Sequence, residues 1–394
     1  MPNVRRDVVV VGAGPAGAAT AISLRRQGLS VTVLERSRQP HFRIGETVPA
    51  DVRPLLERLG AWAGFCKQDH LASTGTASAW GAAELMSSDA LTQALGGGWH
   101  LDRARFDALL AQEARRQGAD VRTGVRLLGI GAGDDGEWSV HAVDAGGERA
   151  TIGARFLVDA TGRAATVARW LGASRLCHDR LVCAHAVLDP ERPVIDGRSI
   201  VESSEDGWWY ATPLPGHRAL AGFFTDSETC RLNAYSSPQR WHDALRTTRH
   251  AFGHLGCPPR PLHIGLAAST PHCLDRPAGV DWLAVGDAAA SYDPLASSGL
   301  TLALRSGEQA ASAIVFRQAG QRTAPARYGR AVQERFTDYL LQRREYYSLE
   351  TRWPGSAFWE RRRRGSSFPG DGLELRRAQG YAISRTACVV STAS

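Results

Sequence analysis

Apolar and polar positions divide this chain into segments of different period. Val8 to Val11 form an unbroken apolar run that stops at Gly12-Ala-Gly14-Pro-Ala16-Gly17 and passes into helical spacing up to about Gln27. A continuous apolar run bounded by glycine predicts a buried strand, and Gly28 predicts the end of the helix that follows. Ser30-Val-Thr-Val-Leu-Glu35 predicts a second strand, which completes a βαβ opening. Two later runs have the same form: Phe156-Leu-Val-Asp159 before Ala-Thr-Gly162-Arg163, and Val280-Asp-Trp-Leu-Ala-Val before Gly286-Asp287. Between them, residues 181–188, 199–203, 208–212 and 219–225 are short runs that predict an antiparallel sheet. Helical spacing returns from Thr301 to Ile314, and further helices are predicted from about Pro325.

Each glycine of the first turn has its own task. Gly12 permits the tight turn, Gly14 lets backbone N–H groups approach phosphates, Gly17 lets the helix pack on the strand, and the helix N-terminus adds positive dipole. Glu35 stands roughly 20 residues further on, where an acidic residue takes ribose hydroxyls. The pattern predicts a dinucleotide site in an α/β, Rossmann-like doubly wound domain formed by residues 1–71, 103–173 and 273–324. Residues 72–102 and 174–272 predict a mixed antiparallel β-sheet substrate domain laid over it, and 325–394 a C-terminal helical region and tail. The active site is expected between the layers.

Composition narrows the function classes. At 394 residues and 43% hydrophobic, the chain can bury a large core. No apolar run approaches 18 residues and the N-terminus leads straight into a strand, so no integral membrane segment and a cytoplasmic location are expected. The seven cysteines (66, 177, 183, 230, 257, 273, 388) show no metal spacing, which predicts free thiols and no metal. A net charge of +7 comes from scattered arginines, so nucleic acid is not expected as a partner. Only Arg361 to Arg364 form a cluster, either a solvated helix end or a docking patch for an acidic partner.

The three motifs together resemble flavoprotein monooxygenases of the hydroxybenzoate-hydroxylase type, a superfamily that also holds flavin-dependent halogenases and geranylgeranyl reductases. The resemblance runs to about residue 320 and implies FAD. It places Asp287 on the ribityl chain, after Gly286, and the loop through Pro294, Ser298, Gly299 and Leu300 at the pyrimidine end of the flavin. Arg43-Ile-Gly45-Glu46 resembles the signature of the halogenase and reductase branches, with Arg43 able to reach the pyrophosphate. Arg103 matches an arginine that rests against the cofactor. Ala16, Glu35, Arg36, Glu46 and Asp159 complete the implied cofactor-binding set with Gly12, Gly14 and Gly17.

Within the superfamily, Gly207-Trp208-Trp209-Tyr210-Ala-Thr212-Pro213 departs from the Trp-x-Trp-x-Ile-Pro strand of halogenases, offering Tyr210 and Thr212 at two positions. Halogenases also use a lysine to hold hypohalous acid, and the chain's only lysine, Lys67, does not match that position. Ser78 to Gly81, Gly98 to Arg103, Trp208 to Pro213 and Arg352 to Trp359 resemble flavoprotein monooxygenases that mature tryptophylquinone enzymes. That resemblance implies hydroxylation of a Trp side chain in a partner polypeptide through a flavin hydroperoxide formed from O2. The reductant would be NAD(P)H or FADH2 from a flavin reductase. His100, Trp208 and Tyr210 are the candidate catalytic residues. A small aromatic substrate, a halogenase, an FAD-dependent isoprenoid reductase and a non-catalytic assembly factor remain as alternatives.

Overall fold

The computed structural model describes residues 4–39, 42–89, 97–132, 137–192, 194 and 196–364. Strand Val4–Val11 lies parallel between Val31–Glu35 and Arg149–Asp159, and Val8, Val9 and Val10 are fully buried. Neighbours on both edges and layers on both faces explain why this strand reads as continuous valine rather than alternating. Asp120–Thr123 extends the sheet beyond Val31–Glu35 in parallel. On the other side Trp138–Val143 and Arg126–Ala132 continue it antiparallel, and Trp282–Ala284 pairs in parallel with residues 157–159. Helix Pro15–Arg26 stops at Gly28, whose φ is +83°, close to its predicted end. It packs against the long helix Gly299–Gln318 at Gly307, where a Cβ would stand 2.7 Å from the Ala16 carbonyl oxygen.

The second large sheet runs Gly265–Ala268, Leu181–Leu188, Arg218–Asp226, Gly207–Leu214, Arg198–Ser204, Gly75–Ala79, Met86–Asp89. All its pairings are antiparallel except that of Arg198–Ser204 with Gly75–Ala79, which joins the two separate segments expected to build it. Trp209 and Phe223 face one side, packed with Trp241 under the helix Pro238–Arg246. Trp208 and Phe224 face the other, toward Ile44 and Leu295 of the first domain's loops. A small sheet of Thr47–Val48, Trp99–His100 and Leu71–Ala72 links the layers, and another is formed by Arg175–Cys177, His272–Leu274 and Ala290–Ser291.

Helix Ala324–Ser348 runs from the first layer to the Trp208 face of the second sheet, where helix Ala357–Arg364 also packs, and the latter corrects the docking-patch expectation. Arg362 is buried, donating to Asp179 at 2.8 Å and Asp226 at 2.7 Å, with its guanidinium 3.6 Å over Phe358. Arg361 also pairs with Asp226, Arg363 donates to the Trp353 carbonyl, and exposed Arg364 pairs with Glu360. Two of the four arginines, Arg361 and Arg362, therefore neutralise buried carboxylates, and Arg364 remains a solvated helix end. Residues 365–394 of the expected tail lie outside the described residues. Among the described residues no helix is long and apolar enough to cross a membrane. Nor does any group of His, Cys, Asp and Glu among them have the arrangement of a metal site.

Candidate active site

The fold itself demands two of the three turn glycines. Gly12 has φ +110° and a Cβ there would stand 2.1 Å from the Ala160 carbonyl oxygen, while a Cβ on Gly17 would stand 2.0 Å from that of Gly12. Gly14 is different: its backbone is ordinary (φ −66°, ψ 178°), and a Cβ would meet nothing nearer than Arg43 Nη1 at 3.9 Å. The space over Gly14 is open, a guanidinium stands across it, and no side chain caps the helix behind it. A cradle of N–H groups facing an arginine suits an anionic pyrophosphate. The N-terminus of helix Gly299–Gln318 repeats the arrangement: Ser298 makes no cap hydrogen bond and a Cβ on Gly299 would meet no atom within 4 Å. The chain thus fits FAD at both ends of the expected cofactor path.

The remaining cofactor candidates divide into groups that face this path and groups that shape it. Glu35 accepts from Ala13 N and Ser37 N, both at 2.9 Å, tying the second strand to the glycine turn. Exposed Arg36 lines an open groove with Ser37, Arg126 and Asp144. Ala16 is buried, its Cβ pressed on the position a Gly286 Cβ would take (2.8 Å), so its side chain serves packing. Leu300 is likewise buried in the core, and Pro294 opens a short turn whose Leu295 N donates to Asp293 at 3.3 Å. Asp159 is fully buried and accepts from Thr161 N, Thr161 Oγ1 and Ala168 N at 2.7–2.9 Å. Its carboxylate shapes the turn. Arg103 holds the Ile44 and Gly45 carbonyls at 3.1 and 2.9 Å and Asp107 through two bonds of 3.2 Å, so it positions the Arg43–Glu46 loop. Burial raises the Asp287 carboxyl, and the nearby charges of Arg163 and Arg103 pull it down.

On the opposite layer the predicted catalytic residues meet, in unexpected roles. His100 is fully buried; its Nε2 lies 2.7 Å from the Gly197 carbonyl, and its Nδ1 lies 2.9 Å from Thr47 Oγ1 and 3.1 Å from Thr212 Oγ1. Burial pushes the imidazole down to about 4, against the opposing pull of the Gly197 carbonyl. Both nitrogens are occupied, so in this structure His100 anchors the Thr47 and Thr212 hydroxyls. Tyr210 OH lies 2.7 Å from Thr47 and 3.2 Å from Ser199, and burial pushes its phenol up. Trp208 is 1% exposed, stacked on Phe224 at 4.0 Å, with its N–H donating to Tyr347 OH at 3.1 Å. It is a wall, not a free stacking surface. Lys67 is exposed on the turn after helix Trp62–Phe65.

Several residues here are not foreshadowed by the motifs. Arg163 donates to Ser291 and to the Thr270 carbonyl beside Asp287, and it directly follows the Asp-Ala-Thr-Gly turn, which is the signal for it. His272 is buried with Nε2 unpartnered among the described residues, and burial pushes it down to about 4. Arg343 donates to Asp293 at 2.6 Å and pairs with Asp179, while Asp293 N donates to Tyr339 OH at 2.9 Å. Some 50 residues separate Arg343 from Asp293, so nothing local marks it. The Thr212 contact did have a signal, since Trp208, Tyr210 and Thr212 share one face by the period of a strand.

Residues 5–325 match the model of the FAD binding domain family. LodB of Marinomonas mediterranea, named as an FAD-dependent oxidoreductase, is 29% identical over 90% of this chain and 96% of its own length. The tryptophan 2-halogenase of Chondromyces crocatus is 28% identical over 89% of this chain and 69% of its own. Among solved structures, the flavin-dependent halogenase CmlS superposes with a TM-score of 0.81 at 25% identity, covering 92% of this chain and 68% of that one. The peptidyl tryptophan dihydroxylase QhpG, essential for tryptophylquinone cofactor biogenesis, superposes with a TM-score of 0.73 at 25% identity. That match covers 95% of this chain and 81% of QhpG. Flavin-dependent halogenases recur among the further matches.

Proposed function

The chain belongs to the FAD binding domain family, and we propose that it is a monooxygenase that hydroxylates a tryptophan side chain presented by a partner polypeptide. The coarser statement, a flavin-dependent enzyme of the aromatic halogenase and hydroxylase type, follows from the family and its relatives. The observation that carries the finer reading is Lys67. It is the only lysine of the sequence and it is exposed on a turn, whereas halogenases, as the resemblance has it, use a lysine to hold hypohalous acid. A guanidinium is broad and planar and does not replace that compact donor. The likeness to the peptidyl tryptophan dihydroxylase supports a protein-borne indole. The internal pairing of Arg361 and Arg362 removes charge steering as support for a partner.

FAD, once reduced and met by O2, supplies electrophilic oxygen. The chain's own residues hold and enclose it. Gly14 N–H neighbours and Arg43 suit the pyrophosphate, Asp287 the ribityl hydroxyls, and the first turn of helix Gly299–Gln318 the pyrimidine carbonyl, where N–H groups stabilise negative charge. The face of Trp208, Phe224 and Trp80, closed by Ile44 and Leu295, keeps water from the reacting centre. An indole is electron-rich enough to react without a strong base, consistent with His100 being buried and neutral. NAD(P)H or a flavin reductase would supply electrons.

Halogenation is the second reading, favoured by the higher TM-score to CmlS and by the recurrence of halogenases among relatives. Mass spectrometry of candidate partner polypeptides, incubated with the FAD-loaded protein, reductant, O2 and chloride or bromide, separates the two. Oxygen added to a Trp residue is expected. A halogen on the product would establish the second reading, and hydroxylation of free tryptophan with every polypeptide unmodified would overturn the partner.

A further inference from the structure

We propose that Trp208, Trp80, Trp359 and Trp353 form a one-electron path from the cofactor side of the second sheet to the protein surface. Through it the FAD-loaded protein gains a further activity, light-driven reduction of its own flavin by a soluble thiol. All four indoles belong to the Trp208 face. Ring centroids lie 6.3 Å apart from Trp208 to Trp80, 5.1 Å from Trp80 to Trp359 and 6.0 Å from Trp359 to Trp353, all within the span of direct ring contact. The line begins where Trp208 packs with Ile44 and Leu295, and it ends at the partly exposed Trp353. Because every member is an indole, an oxidising equivalent passes from ring to ring without a large change in energy.

Close packing alone is only a core; the indole N–H groups and the arginines give this one a direction. An oxidised indole is acidic, and the oxidising equivalent stops wherever a base takes its N–H proton. Trp208 donates to Tyr347 OH at 3.1 Å, Trp80 to the Tyr346 carbonyl at 2.8 Å and Trp359 to the Ser204 carbonyl at 2.9 Å. A phenol and two peptide carbonyls are too weakly basic to keep that proton, so the charge stays mobile on all three rings. Trp353 differs: among the described residues no acceptor holds its N–H, and water can take the proton. The Arg352 guanidinium, 4.5 Å over that ring, opposes an indole cation there and favours the neutral radical left behind. Arginines also close the side branches, with Arg343 4.6 Å over Tyr347 and Arg362 3.6 Å over Phe358. The opposite face offers no such exit, since Trp209 meets Trp241 at 5.3 Å and Trp241 is fully buried.

The path rests on the flavin position proposed above and needs no substrate, so the identity of the substrate does not touch it. Oxidised flavin raised by blue light takes one electron from Trp208. Trp353 is left oxidised at the far end and gives its N–H proton to water; a thiol then returns a hydrogen atom to it. Two such events give the flavin two electrons and, from water, two protons. Two thiols are joined as one disulfide, which balances the reaction.

Blue light on the FAD-loaded protein, without O2 and with dithiothreitol, is expected to bleach the flavin absorbance, and transient absorption is expected to show a neutral tryptophan radical. Trp80→Phe and Trp359→Phe should slow the bleaching to a small fraction of the wild-type rate. Trp353→Phe should shorten the life of the radical, because the oxidising equivalent no longer reaches a ring that can release its proton to water. This partly exposed position keeps the test open where a variant at a buried ring does not fold. Trp241→Phe should change neither readout. Wild-type bleaching in Trp80→Phe and Trp359→Phe, or an equally long-lived radical in Trp353→Phe, would overturn the path. Flavin fluorescence separates this from the site reading. Bound flavin that fluoresces brightly and is indifferent to Trp208→Phe would overturn the flavin position and the path with it. Quenching relieved by Trp208→Phe, with no radical formed in the wild type, would overturn the path alone.

Discussion

The two faces of the second sheet are built from the same strands and hold opposite kinds of interior. Beneath Trp209 the ring contacts are apolar, with Phe223 stacked at 4.7 Å and Trp241 edge-on at 5.3 Å; the indole N–H of Trp241 is answered by the Ala184 carbonyl, and the buried carboxylate beside Trp209, Glu202, is satisfied by the backbone N–H groups of residues 249–251 and not by an arginine. Beneath Trp208, one residue away, aromatic rings alternate with Asp179, Asp226, Asp293, Arg343 and Arg362, all at most 9% exposed in their side chains. The Trp209 face needs chiefly volume; the ionic face needs each charged partner in place, because a buried charge left alone costs more than the pair contributes. The ionic face is also the one that meets Ile44 and Leu295, on the loops proposed to hold the cofactor.

Breaking one partner on the ionic face gives the largest effect expected within the second sheet. Arg362→Met leaves Asp179 and Asp226 short of a buried donor and should cost about 3–5 kcal/mol in urea unfolding. Trp241→Ala on the Trp209 face should cost a similar amount through its cavity. The faces differ in a second readout. Arg343→Met, which releases Asp293 at the base of the loop proposed to face the flavin pyrimidine, should shift the flavin absorbance and midpoint potential, with Arg343→Lys restoring part of both. Trp241→Phe should change neither. A flavin spectrum and potential unmoved by Arg343→Met would end the claim that this face positions the cofactor.

Acid should act next, through histidines on and beside the cofactor-facing side. Burial pushes His100 down to about 4 from an ordinary 6.5, so the unfolded chain binds more protons between those values. Stability from His100 is therefore complete above pH 6.5 and is lost as pH falls toward 4, at most about 3 kcal/mol. His272 adds a term of the same sign. Glu46 and Asp287, raised by burial, act oppositely and lose their contribution as pH rises above the ordinary carboxyl range. Urea unfolding of His100→Gln between pH 7.5 and 4.5 should show a shallower slope than the wild type; equal slopes would refute the assignment.

What was legible in the sequence follows the same division. Gly12, Gly14, Gly17 and Glu35 announce themselves because the βαβ turn brings them together within one local unit, and the strands 181–188 and 219–225 carry their own period. His100 is ambiguous in sequence because a lone histidine gives no hint of Gly197, Thr47 and Thr212, which come from three distant segments. The Arg361–Arg364 run reads as a surface patch because its carboxylates, Asp179 and Asp226, lie far back in the chain. Trp208 and Trp209 are alike in sequence, and only the helices laid over each face tell them apart.

Within the nucleotide layer a smaller stability effect draws the line between fold and ligand. Gly12→Ala meets a carbonyl at 2.1 Å and should not yield folded protein. Gly14→Ala has an allowed backbone and free space, so its thermal stability without FAD should change by less than about 1 kcal/mol. Its FAD affinity, read by flavin fluorescence titration, should nevertheless fall at least tenfold, since the added methyl occupies the approach of the pyrophosphate. Unchanged affinity in a folded Gly14→Ala protein would mean that the open space is not the phosphate site.

The smallest expected effect belongs to Lys67, and it bears most directly on the chemistry. The side chain is exposed on a turn, where its backbone N–H donates to Gly64 O at 3.2 Å, a bond that any residue but proline can make. Lys67→Ala should change stability by less than about 0.5 kcal/mol. Turnover should also stay within experimental error, because an exposed ammonium on this turn is not expected to concentrate hypohalous acid in the proposed site. The informative assay runs wild type and Lys67→Ala in parallel with reductant and O2, with and without bromide, reading products by mass. Oxygenated product from both, insensitive to bromide, is the expected result. Bromide-dependent product lost on this one substitution would require Lys67 to reach the reaction centre, contrary to its exposed position, and would make halogenation the chemistry of this chain.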